Sequence, residues 1–242
     1  MSNGPLLSAR GLCKSYGAVR VVHEVDFDVR AGEVLGVLGP NGAGKTTLFN
    51  LISGDTKLDA GKLVLAGVPL RNEAPYERCK RGIGRTYQVP RPYGGMTTFE
   101  NLLVAALFSA RRNERAAYWH CAAILDDCGL ADKANVQAGM LTLLDRKRLE
   151  LARAVAGNPT LLLLDEIAGG LTDSESEDLV ELVRRLRERN ITIVWIEHVL
   201  HAIMAVADRV LVLNFGKKIA EGEPNAVISD PDVRRVYMGI EV

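Results

Sequence analysis

The sequence predicts an α/β fold with antiparallel strands at its N-terminus and a helical insert in its middle. Residues 19–29 alternate between apolar and polar side chains, as a strand with one buried face does. Residues 34–38, 161–164 and 191–196 are short apolar runs, and a helical pattern follows each of them. Between about residues 89 and 157 the longer segments all have helical patterns. These three observations predict an α/β core with an N-terminal antiparallel β subdomain and one inserted α-helical subdomain.

The length and composition of the chain limit the number of domains and the classes of partner to expect. The chain has 242 residues, 48% of them hydrophobic, which suits one domain, residues 1–242, with a sizeable core. We expect residues of about 1–88 and 158–242 to form that core and about 89–157 a helical subdomain. The 30 basic and 30 acidic side chains balance, which argues against a nucleic-acid partner. Apolar stretches are far shorter than the roughly 20 residues that span a bilayer, and cysteine spacing favours reduced thiols in the cytoplasm.

The N-terminal half predicts strands at Leu7–Ser15 and Val19–Val29, joined by a turn at Gly17. Val34–Leu38 is a buried strand that runs into a glycine-rich loop. A helix over Thr46–Ser53 follows and ends at Gly54, a residue typical of helix C-termini. Three further elements are expected: a strand pair within Gly61–Leu70, a short helix over Glu73–Lys80 and a short strand before Gln88.

The C-terminal half predicts further helices and strands. In order, the elements are helices over Thr97–Ser109, Arg112–Asp127 and Arg146–Gly157, strand Leu161–Leu164, helix Ser174–Arg189, strand Ile191–Ile196, helix Val199–Ala207 and a hairpin of Arg209–Leu213 with Lys217–Glu221. The helix over Ser174–Arg189 is amphipathic, with Leu179, Leu182 and Leu186 on one face. A partial cap signal, Thr98 with Asn101, stands at the first of these helices.

A phosphate-binding loop is the most specific motif. Gly39-Pro40-Asn41-Gly42-Ala43-Gly44-Lys45-Thr46 matches G-x-x-x-x-G-K-[ST], with a predicted strand before it and a helix after it. Glycines let backbone N–H groups curve around phosphate oxygens, and the helix N-terminus favours negative charge. The Lys45 ammonium can reach the β- and γ-phosphates, and the Thr46 hydroxyl can bind Mg²⁺. The loop therefore predicts a P-loop NTPase core that binds ATP through residues 39–47, Thr47 included.

Two acids end the strand Leu161–Leu164. Asp165 and Glu166 follow it directly, at the carboxyl end where ligands of parallel sheets bind. We expect Asp165 to hold Mg²⁺ through water and Glu166 to polarise the water that attacks ATP.

Together these residues resemble the ATP-binding subunit of an ABC transporter, over nearly the whole chain. The resemblance implies that Tyr16 stacks on adenine and that Gln88 contacts Mg²⁺ and signals to the membrane subunit. It also implies that His198 contacts the γ-phosphate. The expected catalytic residues are then Glu166, His198, Lys45 and Gln88, and the expected metal ligands are Thr46, Gln88 and Asp165.

Three segments narrow the resemblance to importers of branched-chain amino acids. They are residues 82–92 (GIGRTYQVPRP), 96–102 (MTTFENL) and 230–239 (DPDVRRVYMG). In that subfamily two ATPase subunits usually pair as a heterodimer beneath membrane permease subunits, which a periplasmic solute-binding protein supplies. The chain is similar to the larger of the two ATPases. The resemblance implies a peripheral protein on the cytoplasmic face of the inner membrane that energises uptake of branched-chain amino acids or a related small solute.

The chain departs from the family at the signature Leu-Ser-Gly-Gly-Gln, where it has Leu141-Thr142-Leu143-Leu144-Asp145. In the family this segment faces the nucleotide held by the partner subunit. Asp145 beside phosphate would cost on the order of 1–4 kcal/mol; alternatively it turns away and caps its own helix with Thr142. We expect a heterodimer with two unequal sites.

Two readings other than a transporter stay open. One is a single-cassette ABC ATPase outside transport, such as the iron–sulfur assembly type, although that type lacks the segments 82–92 and 230–239. The other is a regulatory ATP-binding module, which the unusual signature would suit.

Overall fold

The computed structural model describes residues 4–109 and 113–238. The strands are β1 (Leu7–Tyr16), β2 (Val19–Val29), β3 (Val34–Leu38), β4 (Ala60–Leu65), β5 (Val68–Leu70), β6 (Ile83–Arg85), β7 (Leu161–Asp165), β8 (Thr192–Ile196), β9 (Arg209–Asn214) and β10 (Lys217–Gly222). The α-helices are α1 (Lys45–Ser53), α2 (Pro75–Lys80), α3 (Thr98–Phe108), α4 (Glu114–Asp127), α5 (Leu143–Ala156), α6 (Asp173–Glu188), α7 (Leu200–Val206), α8 (Pro224–Ser229) and α9 (Pro231–Met238). Two short 3₁₀ turns, Ala131–Lys133 and Ala138–Met140, precede α5.

The N-terminal strands form an antiparallel sheet of order β2-β1-β4-β5. The paired strands β1 and β2 bury alternate side chains, as the sequence alternation predicts. Their inner face packs on α1 and on one face of the second sheet, which together form one apolar core.

The second sheet has the order β10-β9-β3-β8-β7-β6 and is parallel except for the β9–β10 hairpin. Its central strands are buried on both faces: Leu35 and Val37 of β3 enter the core shared with the antiparallel sheet, and Val34 and Leu38 enter a core with the helices. Because β3, β7 and β8 run parallel, their carboxyl ends meet at one edge of the sheet. That edge receives the glycine-rich loop, Asp165 and Glu197. The predicted α/β class with its antiparallel strands and helical insert is confirmed.

The helical segment consists of α3, α4 and α5. Their apolar faces pack together and, with the other face of the parallel sheet, form a second core. A complete capping box starts α3: the Glu100 amide donates to the Thr97 hydroxyl (3.1 Å), and the Thr97 amide donates to the Glu100 carboxylate (2.7 Å). The predicted partial signal at Thr98 and Asn101 was wrong by one residue, because Thr97 is the cap.

Two other differences from the predicted elements have local causes. Helix α5 begins at Leu143 rather than Arg146, because the Thr142 hydroxyl accepts a hydrogen bond from the Asp145 amide and extends the helix by one turn. Helices α8 and α9 were not predicted; each starts at a proline, which suits the first position of a helix. Gly54 ends α1, as predicted, and it has the left-handed conformation.

Candidate nucleotide site

The phosphate loop connects β3 to α1 in a shape that only glycine tolerates at two positions. Gly44 precedes α1 with φ of 99°, and a Cβ there would lie 2.5 Å from the Val21 carbonyl oxygen. A Cβ at Gly39 would overlap the Leu213 carbonyl oxygen. The loop is therefore packed between β2 and the end of β9.

Lys45 is the first residue of α1, and its side chain folds back into the loop. Its ammonium donates to the carbonyl oxygens of Gly39 (2.7 Å) and Pro40 (3.0 Å). Burial lowers the pKa of Lys45, while the nearby carboxylates of Glu166 and Asp165 act in the opposite direction. The buried Lys45 ammonium thus has two carbonyl oxygens as partners. Phosphate oxygens would bind it more strongly because they carry negative charge.

Asp165 ends β7 as a buried carboxylate. One oxygen accepts a hydrogen bond from the Arg85 guanidinium at 3.1 Å, and the Asp165 amide donates to the Thr86 hydroxyl at 3.1 Å. The second carboxylate oxygen is buried without a hydrogen-bond partner. Burial raises the pKa of Asp165, and the positive charge of Arg85 opposes that rise.

Glu166, Gln88 and His198 come together above Asp165. The Gln88 amide nitrogen lies 2.5 Å from a Glu166 carboxylate oxygen, and the His198 Nδ1 lies 3.9 Å from the same oxygen. Gln88 and Glu166 are 78 positions apart in the sequence and Glu166 and His198 are 32 apart, yet all three meet at the edge of the parallel sheet. The His198 ring is about half exposed, whereas Glu166 is largely covered.

A cavity of about 280 Å³ lies between the phosphate loop and this cluster. Its lining is Val21, Asn41 to Thr47, Gln88 and Glu166. A larger cavity of about 450 Å³ is lined by residues of β1, β2, β9 and β10, but most of its charged side chains are in ion pairs, such as Arg10 with Asp28 and Arg209 with Glu221. The phosphate-loop cavity is therefore the better candidate for an anionic ligand.

The predicted site residues do not all line this cavity. Thr46 and Thr47 do, and Thr46 is exposed to it. Asp165 and His198 lie next to the cavity rather than in its lining. Tyr16 stands at the end of β1, half exposed, with its hydroxyl 3.4 Å from the Thr56 hydroxyl, and it does not contribute to the lining.

The residues fit a Mg²⁺ ion that is shared with phosphate. The described residues contain no cluster of three or more His, Cys, Asp or Glu side chains that would hold a metal alone. Mg²⁺ is commonly bound by one or two protein oxygens together with substrate phosphates and waters. The unpartnered Asp165 oxygen and the exposed Thr46 hydroxyl offer such oxygens.

Three charged residues of the site were missed in the sequence. Arg85 binds Asp165 and also donates to Asn50 (2.7 Å) and Ser53 (2.8 Å) of α1. Lys147 and Glu197 are buried and contact the segment after β7. Lys147 shares a helical face with the apolar Leu151 and Val155, so a charge on an otherwise apolar helix face was the signal that could have revealed it.

The altered signature segment has a local structure of its own. The Asp145 carboxylate accepts hydrogen bonds from the Thr142 hydroxyl (2.7 Å) and the Lys133 ammonium (2.8 Å) and is almost wholly buried. Burial raises the pKa of Asp145, but Lys133 and Thr142 outweigh it and hold the pKa below its usual range. Of the two expected orientations, the structure has the cap. The expected repulsion between Asp145 and a phosphate held by a partner stays a prediction. Leu143 is exposed at the helix N-terminus.

Comparisons with known proteins agree with this arrangement. The family model for ABC transporters matches residues 22–169, and the model for branched-chain amino acid ATP-binding cassette transporters matches residues 217–242. The high-affinity branched-chain amino acid transport ATP-binding protein LivG of Escherichia coli is 38% identical over 97% of this chain and 98% of its own length. The corresponding protein BraF of Pseudomonas aeruginosa is 36% identical over the same shares.

A solved structure shares the fold over almost the whole chain. The ADP conformation of MJ1267, an ATP-binding cassette of an ABC transporter, superposes with a TM-score of 0.89 at 30% identity, covering 98% of this chain and 99% of that one. No helix among the described residues is long and apolar enough to cross a bilayer. With the phosphate loop, the acidic strand end and these relatives, the chain belongs to the ATP-binding, ATP-hydrolysing subunits of ABC transporters, in their branched-chain amino-acid type.

Proposed function

We propose that this chain hydrolyses ATP to drive uptake of branched-chain amino acids or a related small solute. One observation carries the proposal: Lys45, Gln88 and Glu166 converge on a single cavity above the phosphate loop. The names of LivG and BraF and the family match over residues 217–242 support the importer type and the solute class.

In this proposal residues 39–47 bind the phosphates of ATP through loop N–H groups and the Lys45 ammonium. Tyr16 stacks on adenine from the end of β1, outside the phosphate cavity. Glu166 accepts a hydrogen bond from water and directs it at the γ-phosphorus. Lys45 and His198 stabilise the negative charge that develops on the phosphoryl oxygens.

Gln88 and Glu166 suggest how hydrolysis is timed. The Gln88 amide nitrogen donates a hydrogen bond to a Glu166 carboxylate oxygen at 2.5 Å. It therefore competes with the attacking water for that carboxylate. We propose that Gln88 withdraws when the site closes, which frees Glu166 and moves the loop that follows β6. Thr46, Asp165 and Gln88 would hold Mg²⁺, whose charge neutralises the phosphate oxygens.

The loop that carries Gln88 supports docking of a membrane subunit. Tyr87, Val89 and Tyr93 expose apolar surface on this loop, between the parallel sheet and helices α3–α5. Exposed apolar patches of this kind mark protein contacts. We propose that a permease subunit binds here, so that residues 89–157 act as the coupling subdomain and residues 1–88 and 158–242 as the nucleotide-binding core.

The altered signature supports a second ATPase subunit as partner. The Thr142 hydroxyl already donates to Asp145, so its proton is committed within its own helix. Leu143 and Leu144 stand where glycine would leave room for a phosphate. We propose a heterodimer in which this chain's own site works and the partner's site, completed by residues 141–145, is weaker.

Location follows from these partners. We propose that the chain sits peripherally on the cytoplasmic face of the inner membrane, beneath two permease subunits. A periplasmic solute-binding protein would deliver the solute from the other side. The iron–sulfur and regulatory alternatives are not favoured by the relatives found.

Uptake in a strain that lacks the chain tests the proposal. Accumulation of labelled leucine, isoleucine and valine should be lost and should return with the intact chain but not with Glu166→Gln. Amides, urea and aromatic acids, added as competitors, report related solutes. Unchanged uptake of all these solutes in the deletion strain would contradict the proposed importer.

A further inference from the structure

The segment that follows β7 has an unusual backbone. Glu166 has a φ of 46°, in the left-handed region that non-glycine residues rarely occupy. Such a conformation persists only where the surrounding contacts fix it, and it tends to occur at functional sites. The direction of the Glu166 carboxylate therefore depends on what holds this turn.

Lys147 of α5 holds the turn from one side. Its ammonium lies 3.4 Å from the Glu166 carbonyl oxygen, which also accepts a hydrogen bond from the Gly169 amide at 3.3 Å. The Lys147 side chain is buried, so its single positive charge is directed into the protein and not into solvent.

Glu197 holds the turn from the other side. One of its carboxylate oxygens accepts a hydrogen bond from the Ala168 amide at 2.7 Å, and the other accepts from the His198 amide at 3.3 Å. Glu197 is completely buried at the end of β8. It thus ties the backbone after Glu166 to the backbone that carries His198.

Lys147 and Glu197 bring opposite buried charges to the same turn. Burial lowers the pKa of Lys147, and the negative charges of Glu197 and Glu166 act against that lowering. A buried pair of charges gives little net stability compared with apolar side chains of similar size. What Lys147 and Glu197 provide that apolar residues would not is a donor and two acceptors for the backbone of the turn.

We propose that Lys147 and Glu197 are positioning residues that fix the Glu166 turn and so aim its carboxylate at the cavity. This inference rests on the proposed role of Glu166 in hydrolysis. Helix α5 then takes part in two proposed ATP sites. Asp145 shapes the end that faces the partner's site, and Lys147, two residues further on, contacts this chain's own site.

The test compares ATP hydrolysis, ATP affinity and amide hydrogen exchange in variants of the full chain. Lys147→Met should lower kcat roughly 10- to 100-fold, the cost of a misplaced reacting group. ATP affinity should stay within about threefold, because the ground-state phosphate contacts are kept. Exchange should accelerate at residues 166–170 and stay unchanged in the centres of β7 and β8. Lys147→Arg, which keeps a donor, should recover much of kcat.

The neutral double variant Lys147→Met with Glu197→Gln separates positioning from charge balance. It should regain thermal stability because no buried charge is left uncompensated, while its kcat stays low. It also carries the test if Lys147→Met alone does not fold. Arg148→Met, which removes the next cation of α5 and its surface pair with Asp178, is the matched control and should keep wild-type kcat.

Two results would overturn the inference: wild-type kcat in Lys147→Met, or full recovery of kcat in the double variant. Glu166→Gln in the same assay keeps the two proposals apart. If Glu166→Gln abolishes hydrolysis while Lys147→Met does not affect it, only the positioning role fails. If Glu166→Gln hydrolyses ATP normally, the proposed function fails first.

Discussion

Asp165 illustrates how a single residue contributes to stability and, in the proposed function, to metal binding. Its side chain and that of Arg85 are 3% and 7% exposed, and their atoms are 3.1 Å apart. Arg85 also binds Asn50, Ser53 and Asp55, so it fastens the end of β6 to α1 and to β7. The guanidinium neutralises one carboxylate oxygen and leaves the other for a ligand.

Removing Arg85 should therefore be costly. Arg85→Met leaves the buried Asp165 uncompensated, and we expect the free energy of unfolding to fall by about 3–5 kcal/mol in urea titrations. The double variant Arg85→Met with Asp165→Asn should recover part of this loss.

The ion pair of Arg10 with Asp28 supplies the control, because these side chains are 52% and 37% exposed. Arg10→Met should cost less than about 1 kcal/mol, as exposed pairs do. Equal losses of unfolding free energy for Arg85→Met and Arg10→Met would show that the buried pair stabilises the fold no more than the exposed one.

Among the elements, α5 combines three functions in one helix. Its first turn is capped by Thr142 and Asp145, its buried face carries Lys147, and its remaining apolar residues pack in the second core. The Asp145 charge is directed inward, to Lys133 across the preceding 3₁₀ turn. These contacts hold the start of α5 in place without the two glycines of the family signature.

The Asp145 cap predicts a specific dependence on pH. Its pKa is lowered in the folded chain, so the ionised carboxylate stabilises the fold above the unfolded pKa of about 4. This stability is lost as the pH falls through the folded pKa. Asp145→Asn should thus lower the free energy of unfolding by about 1–3 kcal/mol at pH 7 and by less near pH 3.

Urea titrations at both pH values measure this difference. Asp178→Asn is the control, because Asp178 is 58% exposed and its pair with Arg148 is weak. A destabilisation by Asp145→Asn that grows as the pH falls would contradict the structure of the cap.

The elements also show what the sequence can and cannot predict. The phosphate loop and β7 were predictable because their signals are contiguous: glycines, Lys45 and a run of four leucines before Asp165. The contacts of Arg85 with Asp165 and of Lys147 with Glu166 join residues 80 and 19 positions apart, and no local pattern encodes them. Helix α5 starts earlier than predicted because the cap of Thr142 with Asp145, which the sequence left as one of two alternatives, does form.

At the scale of the whole molecule, the residues proposed to hydrolyse ATP and the start of α5 lie on two separate surfaces. Lys45, Asp165, Glu166 and His198 gather at one edge of the parallel sheet, next to the cavity. The N-terminus of α5, with Leu143 exposed, forms a separate surface that does not line this cavity. In the proposed heterodimer a site completed by a second subunit joins these two surfaces, and we expect the unusual α5 terminus to make the two joined sites unequal.

Restoring the family signature should therefore improve the chain on its own. The triple variant Leu143→Gly, Leu144→Gly and Asp145→Gln should raise ATP hydrolysis by the isolated chain at least about tenfold, or ~1.4 kcal/mol in barrier height. A complex with the second ATPase should hydrolyse faster than the unaltered chain alone. An unaltered homodimer that hydrolyses ATP as fast as the complex would contradict the unequal sites.

The most direct test is to measure ATP binding and ATP hydrolysis in Glu166→Gln, with the exposed acid variant Glu181→Gln as control. Glutamine keeps the size of the side chain and its contact with Gln88 but accepts no proton from water. We predict unchanged ATP affinity and a loss of turnover of about 10²–10⁴-fold, the contribution of a general base. Near-normal turnover in Glu166→Gln would contradict the assignment of this cavity as the hydrolytic site.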